Sequence, residues 1–242
     1  MKRLFDKDEV WFAVLWIILY VVGFANADML SETIGMPKVI TACLGLILSV
    51  ILLRFIRRNG LDEYFGLCAF RGSLRSVLYF LPLAVITSVN LWNGVTRNCA
   101  VPEMILYIIS MCLVGFLEEV IFRGLLFKGM CKTNVKAAIL VSSLTFGAGH
   151  IVNLLLGAPL LDTLLQLVYA SAVGFCFTAI FYVGGSLWPC IISHALVNST
   201  SVFAVEPGVE GRVVTAVIQT VIGIGYGVWL LRRKNRENAS KP

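Results

Sequence analysis

Charge is what this chain has least of. Asp, Glu, Lys and Arg make up 14% of its 242 residues, against about 25% in an ordinary soluble domain, while 58% are apolar and mean hydropathy is +0.86. A soluble globular domain is excluded, and an integral membrane protein is the class left. Histidine is scarcer still, with only His150 and His194. Seven cysteines are scattered mostly one per apolar segment without any C-x-x-C, so neither a disulfide framework nor a thiolate metal site is visible. The H-E-x-x-H signature is absent, because the histidines are followed by Ile151-Val-Asn-Leu154 and Ala195-Leu-Val-Asn198. With no internal repeat, low-complexity tract or long linker, residues 1–242 read as one transmembrane domain.

Long apolar runs are what is present. A bilayer core of about 30 Å needs about 20 helical residues, and eight runs approach that length: Val10–Ala25, Val39–Ile56, Leu74–Trp92, Met104–Phe127, Val135–Leu156, Leu160–Val183, Ser186–Ala204 and Val213–Leu231. None alternates polar with apolar, so barrel strands are excluded and an all-α polytopic fold of about eight helices is expected. Met1-Lys-Arg ahead of an apolar stretch ending in Ala25-Asn-Ala27 also resembles a signal peptide. The acidic Asp6, Asp8 and Glu9 and the further span that follows favour a retained helix.

Basic residues set the expected orientation. With a cytoplasmic amino terminus the inside segments hold 16 Lys and Arg, and the outside loops hold three, Lys38, Arg97 and Arg212. The positive-inside rule then places both termini in the cytoplasm, with a bacterial plasma membrane as the expected location. Topology and lipid headgroups account for the net charge of +6, so nucleic acid is not an expected partner.

Against that background, Glu118 and Glu119 in Phe116-Leu-Glu-Glu-Val-Ile-Phe-Arg-Gly124 stand out. An ionisable side chain near the bilayer centre costs roughly 2.5–3.5 kcal/mol or more, so it faces protein or a wet cavity and marks a function. Glu119 and Arg123 are four residues apart on one helical face and can pair, which leaves Glu118 about 100° away and free for another task. His194 and Asn198 share the same interval, as do Phe146 and His150, where Gly147 and Gly149 allow close approach of a neighbour. At 1.5 Å per residue Glu118, His150 and His194 lie about 15, 20 and 12 Å from their cytoplasmic ends, so three helices can present them to one layer, somewhat toward the cytoplasm. Lone histidines in helices are more often packing residues. Two histidines, two glutamates and an arginine on three spans reverse those odds, since each needs a partner once desolvated.

Glu, His and His are the kit of water-activating hydrolases, in two versions that the sequence leaves open. A divalent metal such as Zn2+ on Glu118, His150 and His194 would lower the pKa of a bound water to about 7. Without metal, Glu118 would act as general base while an imidazole or Asn198 stabilises the oxyanion.

Glu-Glu-x-x-x-Arg at Glu118–Arg123, Phe-x-x-x-His at Phe146–His150 and His-x-x-x-Asn at His194–Asn198 resemble the three ordered motifs of the CAAX-protease and bacteriocin-processing family of intramembrane endopeptidases. The resemblance covers about residues 104–204, a catalytic core of four helices, and the first three spans add only hydrophobicity to it. It implies peptide-bond hydrolysis near the bilayer surface, on a prenylated C-a-a-X tail or a bacteriocin-like peptide. It also implies roles. Glu118 activates water, Glu119 supports it with Arg123 as partner, His150 ligates a metal or positions the water, and His194 with Asn198 completes the site, Asn198 polarising the scissile carbonyl. Membrane lipid and a peptide or lipidated protein substrate are the expected partners. A proton-coupled transporter and a non-catalytic membrane immunity or scaffold protein are the competing classes, although paired broken helices are not visible.

Overall fold

A computed structural model describes residues 1–70 and 80–239. Helices joined by short loops make up these residues, and among them the one extended pairing is an isolated antiparallel bridge between Val95 and Ala204. A short α1 (Lys2–Lys7) leads into α2 (Glu9–Ile34), whose first turn is capped by Asp8 accepting from the Trp11 amide at 2.9 Å. There follow α3 (Val39–Arg58), α4 (Leu81–Ser88), α5 (Val101–Cys131), α6 (Val135–Gly149), α7 (Val152–Leu155), α8 (Leu160–Gly184), α9 (Trp188–Thr200) and α10 (Val209–Ala239).

The all-α membrane architecture stands, but the count of eight spans is not reproduced. Among the described residues six helices are long and apolar enough to cross a bilayer: α2, α3, α5, α6 with its extension to Leu155, α8 and α10. The third expected span begins outside the described residues, as do Arg71 and Arg75, and its described part is the short α4 with a 3-10 turn at Val89–Leu91. The seventh shrinks to the 13 residues of α9, about 20 Å long, followed by a 3-10 turn at Ser201–Phe203. Pro82 and Pro189 each stand in the first turn of a helix, where a missing N–H costs nothing.

Period decides which apolar residues meet protein and which meet lipid. On α2 the buried stripe Phe12, Trp16, Tyr20, Phe24, Ala27 and Ser31 recurs every three or four residues, while Leu15, Ile18, Leu19 and Val22 stay exposed. Both faces are apolar because lipid replaces water on the outer one.

The bundle has two unlike ends. At one, Phe5, Phe12, Phe55 and Phe65 pack edge to face, and Glu9 accepts from Tyr64 and Lys132, both at 2.7 Å. Burial and the Glu9 carboxylate push the Tyr64 phenol above its usual pKa. The Leu187 amide donates to Gly66 there, and Lys234 reaches the Tyr182 carbonyl. This is the end at which the Lys and Arg side chains gather. The other end carries Lys38 paired with Asp28, Arg212 paired with Asp162, and Asn98 donating to the carbonyls of Val202 and Ala204.

Candidate active site

The glutamates sit where α5 changes geometry. Val101–Glu118 is α-helical, Glu119–Phe127 continues as a π-helix, and Lys128–Cys131 returns to α. Wider π turns recur at functional sites, and here all nine residues of the widened stretch are buried. Glu119 still meets Arg123, whose Nη1 donates to Oε1 at 3.0 Å, and both side chains are fully enclosed.

His194 bridges the acid pair. Its Nδ1 donates to Glu119 Oε1 at 2.8 Å, which leaves Nε2 turned toward Glu118 Oε2 at 3.4 Å. The expected division of labour therefore needs revision. Glu119 is not reserved for Arg123, since the same oxygen also holds the imidazole. One residue makes this approach possible. A β-carbon on Gly115 would stand 2.7 Å from the backbone nitrogen of Ala195, so only glycine lets α5 and α9 come together at His194. Gly147 serves the expected close approach, to the backbone of α8 at Leu167 and Ser171, whereas nothing lies near Gly149.

Phe146 is the apolar counterpart of that bridge. The Arg123 guanidinium lies 4.1 Å from its ring centroid, and both His150 and His194 meet the ring edge on, with centroids 5.5 and 5.6 Å away. A desolvated cation over an aromatic face gains about 2 kcal/mol. The ring thereby holds Arg123 and the two imidazoles in one frame.

Tyr20 was missed by sequence reasoning, which gave the first three spans no part in the site. Its hydroxyl donates to Glu118 Oε1 at 2.6 Å from α2, 98 positions away in the chain. Glu118 Oε2 has no hydrogen-bond partner among the described residues. A signal existed, since Tyr20 is a hydroxyl in the midst of an otherwise apolar span, but tyrosine is too common in such helices to be singled out.

Two cavities meet at Glu118 and His150. One of about 340 Å³ is also lined by His194, Asn198, Gln166 and Tyr169. A second of about 130 Å³ runs toward Tyr20, Asp28 and Asn153. His150 stands in the residue that ends α6, and neither its ring nor the Asn198 amide is hydrogen-bonded among the described residues. Asn153 donates to Gln166 at 2.8 Å and so joins α7 to α8. Glu118, His150, His194 and Asn198 thus share one cavity wall, while Glu119 and Arg123 lie behind it.

As placed, these residues do not fit a three-ligand zinc site. Among the described residues no three His, Cys, Asp or Glu side chains cluster closely enough to hold a metal ion, although the Nδ1–Glu119 bond leaves His194 Nε2 available as a ligand. Glu119 alone meets Arg123, and Glu118 Oε2 faces His194 Nε2 across 3.4 Å.

Comparison with known proteins agrees with the motifs. Residues 100–200 match the model of the type II CAAX prenyl endopeptidase Rce1-like family. The chain is also 25% identical over 226 residues to the Bacillus subtilis (strain 168) protein named "Putative membrane peptidase YdiL", covering 80% of this chain and 87% of that one. Together the two matches support the CAAX-protease and bacteriocin-processing family.

Proposed function

We propose that this protein is an intramembrane endopeptidase in which Glu118 activates a water molecule against a peptide bond of a membrane-associated polypeptide. One observation carries the reading: Glu118, fixed by Tyr20 and facing His194 Nε2 with its other oxygen, lines a cavity that also holds His150 and Asn198. A transporter or silent scaffold has no need of that convergence.

The chemistry follows from the positions. Water in the cavity gives a proton to the Glu118 carboxylate as its oxygen attacks the scissile carbonyl carbon. The Asn198 amide and the His150 ring, whose polar groups line the same wall, donate to the oxyanion that forms. Collapse of the tetrahedral intermediate breaks the C–N bond, and Glu118 returns its proton to the leaving amine. Glu119 and Arg123 take no part in bond making. They hold His194 in one tautomer, so that Nε2 keeps its orientation toward Glu118 and stabilises each change of charge.

Purified protein in detergent, tested against a panel of fluorogenic peptides carrying a lipid or hydrophobic anchor, is the direct assay. Glu118→Ala, His150→Ala and His194→Ala are each expected to abolish cleavage while the protein stays monodisperse, and unchanged proteolysis by Glu118→Ala would sink the proposal. Metal content is read separately. Full activity in a preparation shown to be metal-free is the expected result, whereas one zinc per chain with loss of activity on chelation would replace this water-activation scheme.

A further inference from the structure

We infer that the catalytic cavity is entered from the extracytoplasmic side, so that the substrate is a polypeptide segment exposed on the outer face of the membrane. The inference rests on the peptidase reading above and adds the side and class of its substrate.

Leaving Glu118, the lining of the 340 Å³ cavity passes through Asn90, Gln166, Tyr169, Ser201 and Gln219. Asn90, Tyr169 and Gln219 also line a neighbouring cavity of about 200 Å³, which adds Asn93, Pro207 and Arg212. Asn93 lies just beyond the 3-10 turn after α4, and Pro207 just ahead of α10. Two adjoining spaces therefore run from the carboxylate to the loops of one end of the bundle. At that mouth the Val95–Ala204 bridge and the Asn98 bonds brace the loops, and the half-exposed Arg212–Asp162 pair forms part of the rim.

The opposite direction is filled with side chains. Phe65, Phe127 and Leu187 are almost completely buried, Phe122 and Phe181 nearly so, and Phe127 meets Phe181 edge to face. A β-carbon on Gly66 would stand 3.0 Å from the Gly185 carbonyl, which shows how tightly the 59–70 loop closes on α8.

Charge tells which end is which. The mouth end has Lys38, Arg97 and Arg212 against Asp28, Glu32, Glu103, Asp162, Glu206 and Glu210, whereas the packed end carries the lysines and arginines of both termini and of the α3 and α5 ends. By the positive-inside rule the packed end faces the cytoplasm and the mouth faces out. The lining between mouth and Glu118 mixes amides and hydroxyls with apolar side chains such as Val89, Val173 and Phe177, a wall suited to a polypeptide that brings both a polar backbone and apolar side chains.

Sidedness is readable without knowing the substrate. Val197→Cys, one turn from His194 on the cavity wall, and Thr215→Cys, which lines the outer cavity, are treated with the small, membrane-impermeant cation methanethiosulfonate ethyltrimethylammonium, in right-side-out and inverted vesicles from the same cells. Label is located by peptide mass spectrometry, with native Cys99 on the mouth end and Cys68 on the packed end as internal markers, both partly exposed. Both introduced cysteines, with Cys99, should label in right-side-out vesicles and lose that label in inverted ones. If Val197→Cys does not fold, Ala170→Cys on the same wall takes its place. Deep label arriving from inverted vesicles, Cys99 labelled from the cytoplasmic side, or an outer cysteine labelled while the deep one is reached from neither side overturns the inference. Labelling reports access alone, so it can fail while cleavage by the purified protein stands, and it can succeed where Glu118→Ala leaves proteolysis unchanged.

Discussion

Glu118 and Glu119 are consecutive residues in opposite circumstances. Glu119 has no exposed surface and shares one oxygen between Arg123 and His194. Glu118 keeps 9% exposure, one hydroxyl partner and two cavities. The difference teaches that an intramembrane carboxylate is tolerated in two ways, by neutralisation inside packed protein or by access to water, and that the second leaves its oxygen available for chemistry. The pair lets structural and reactive acidity be separated at adjacent positions.

The comparison breaks most sharply at Glu118 itself. Glu118→Gln should lower kcat by about 10²–10⁴-fold, the usual scale for a lost general base, with thermal stability unchanged or raised because a desolvated charge has gone. Arg123→Met should do the reverse in kind, removing the counter-ion of a buried carboxylate at about 3–5 kcal/mol of stability, read as a lowered unfolding midpoint in detergent. If Arg123→Met unfolds no more readily than the parent, Glu119 is not the structural member of the pair. Tyr20→Phe deletes one hydrogen bond to a charged group, about 1.5–3 kcal/mol, and should appear as a fall of about 10- to 100-fold in kcat with KM unchanged. A rise in KM alone would assign Tyr20 to the cavity wall. Gly115→Ala, which pushes α9 away from α5, should cost about 1–3 kcal/mol and weaken the distinction by loosening His194 from both acids.

Much of this was legible because membranes punish unpaired polarity. Glu118, Glu119, Arg123, His150, His194 and Asn198 were visible as polar residues in apolar runs, and the Glu119–Arg123 pair followed from helical spacing alone. The all-helical class followed from run length and lack of alternation. What escaped was whatever depends on the third dimension. Tyr20 carries only the weak mark of its mid-span position, which tyrosines in apolar helices share too often to single it out. The shortening of the seventh span to α9 left no trace in hydropathy, because a short helix with Trp188, Ile192 and Leu196 on an exposed face is as apolar as a full span. The widened turns of Glu119–Phe127 were hidden too, since an extra residue per turn leaves composition untouched. Expected depth was read from cytoplasmic ends and placed the layer toward the cytoplasm, whereas the cavities that reach it run to the opposite end.

Gly115 ties the site to the order in which the chain is made. Glu119 enters the membrane with Arg123 four residues behind it, so its charge is balanced within its own helix. Glu118 has Tyr20 already in place, yet His194 lies 75 residues beyond Glu119 and reaches the acids only when α9 slides against the bare backbone at Gly115. Until then the carboxylate has no imidazole opposite it and the Asn198 amide is absent from the cavity wall. The acids of α5 therefore gain their imidazole, and the cavity its amide, only after synthesis has passed residue 200.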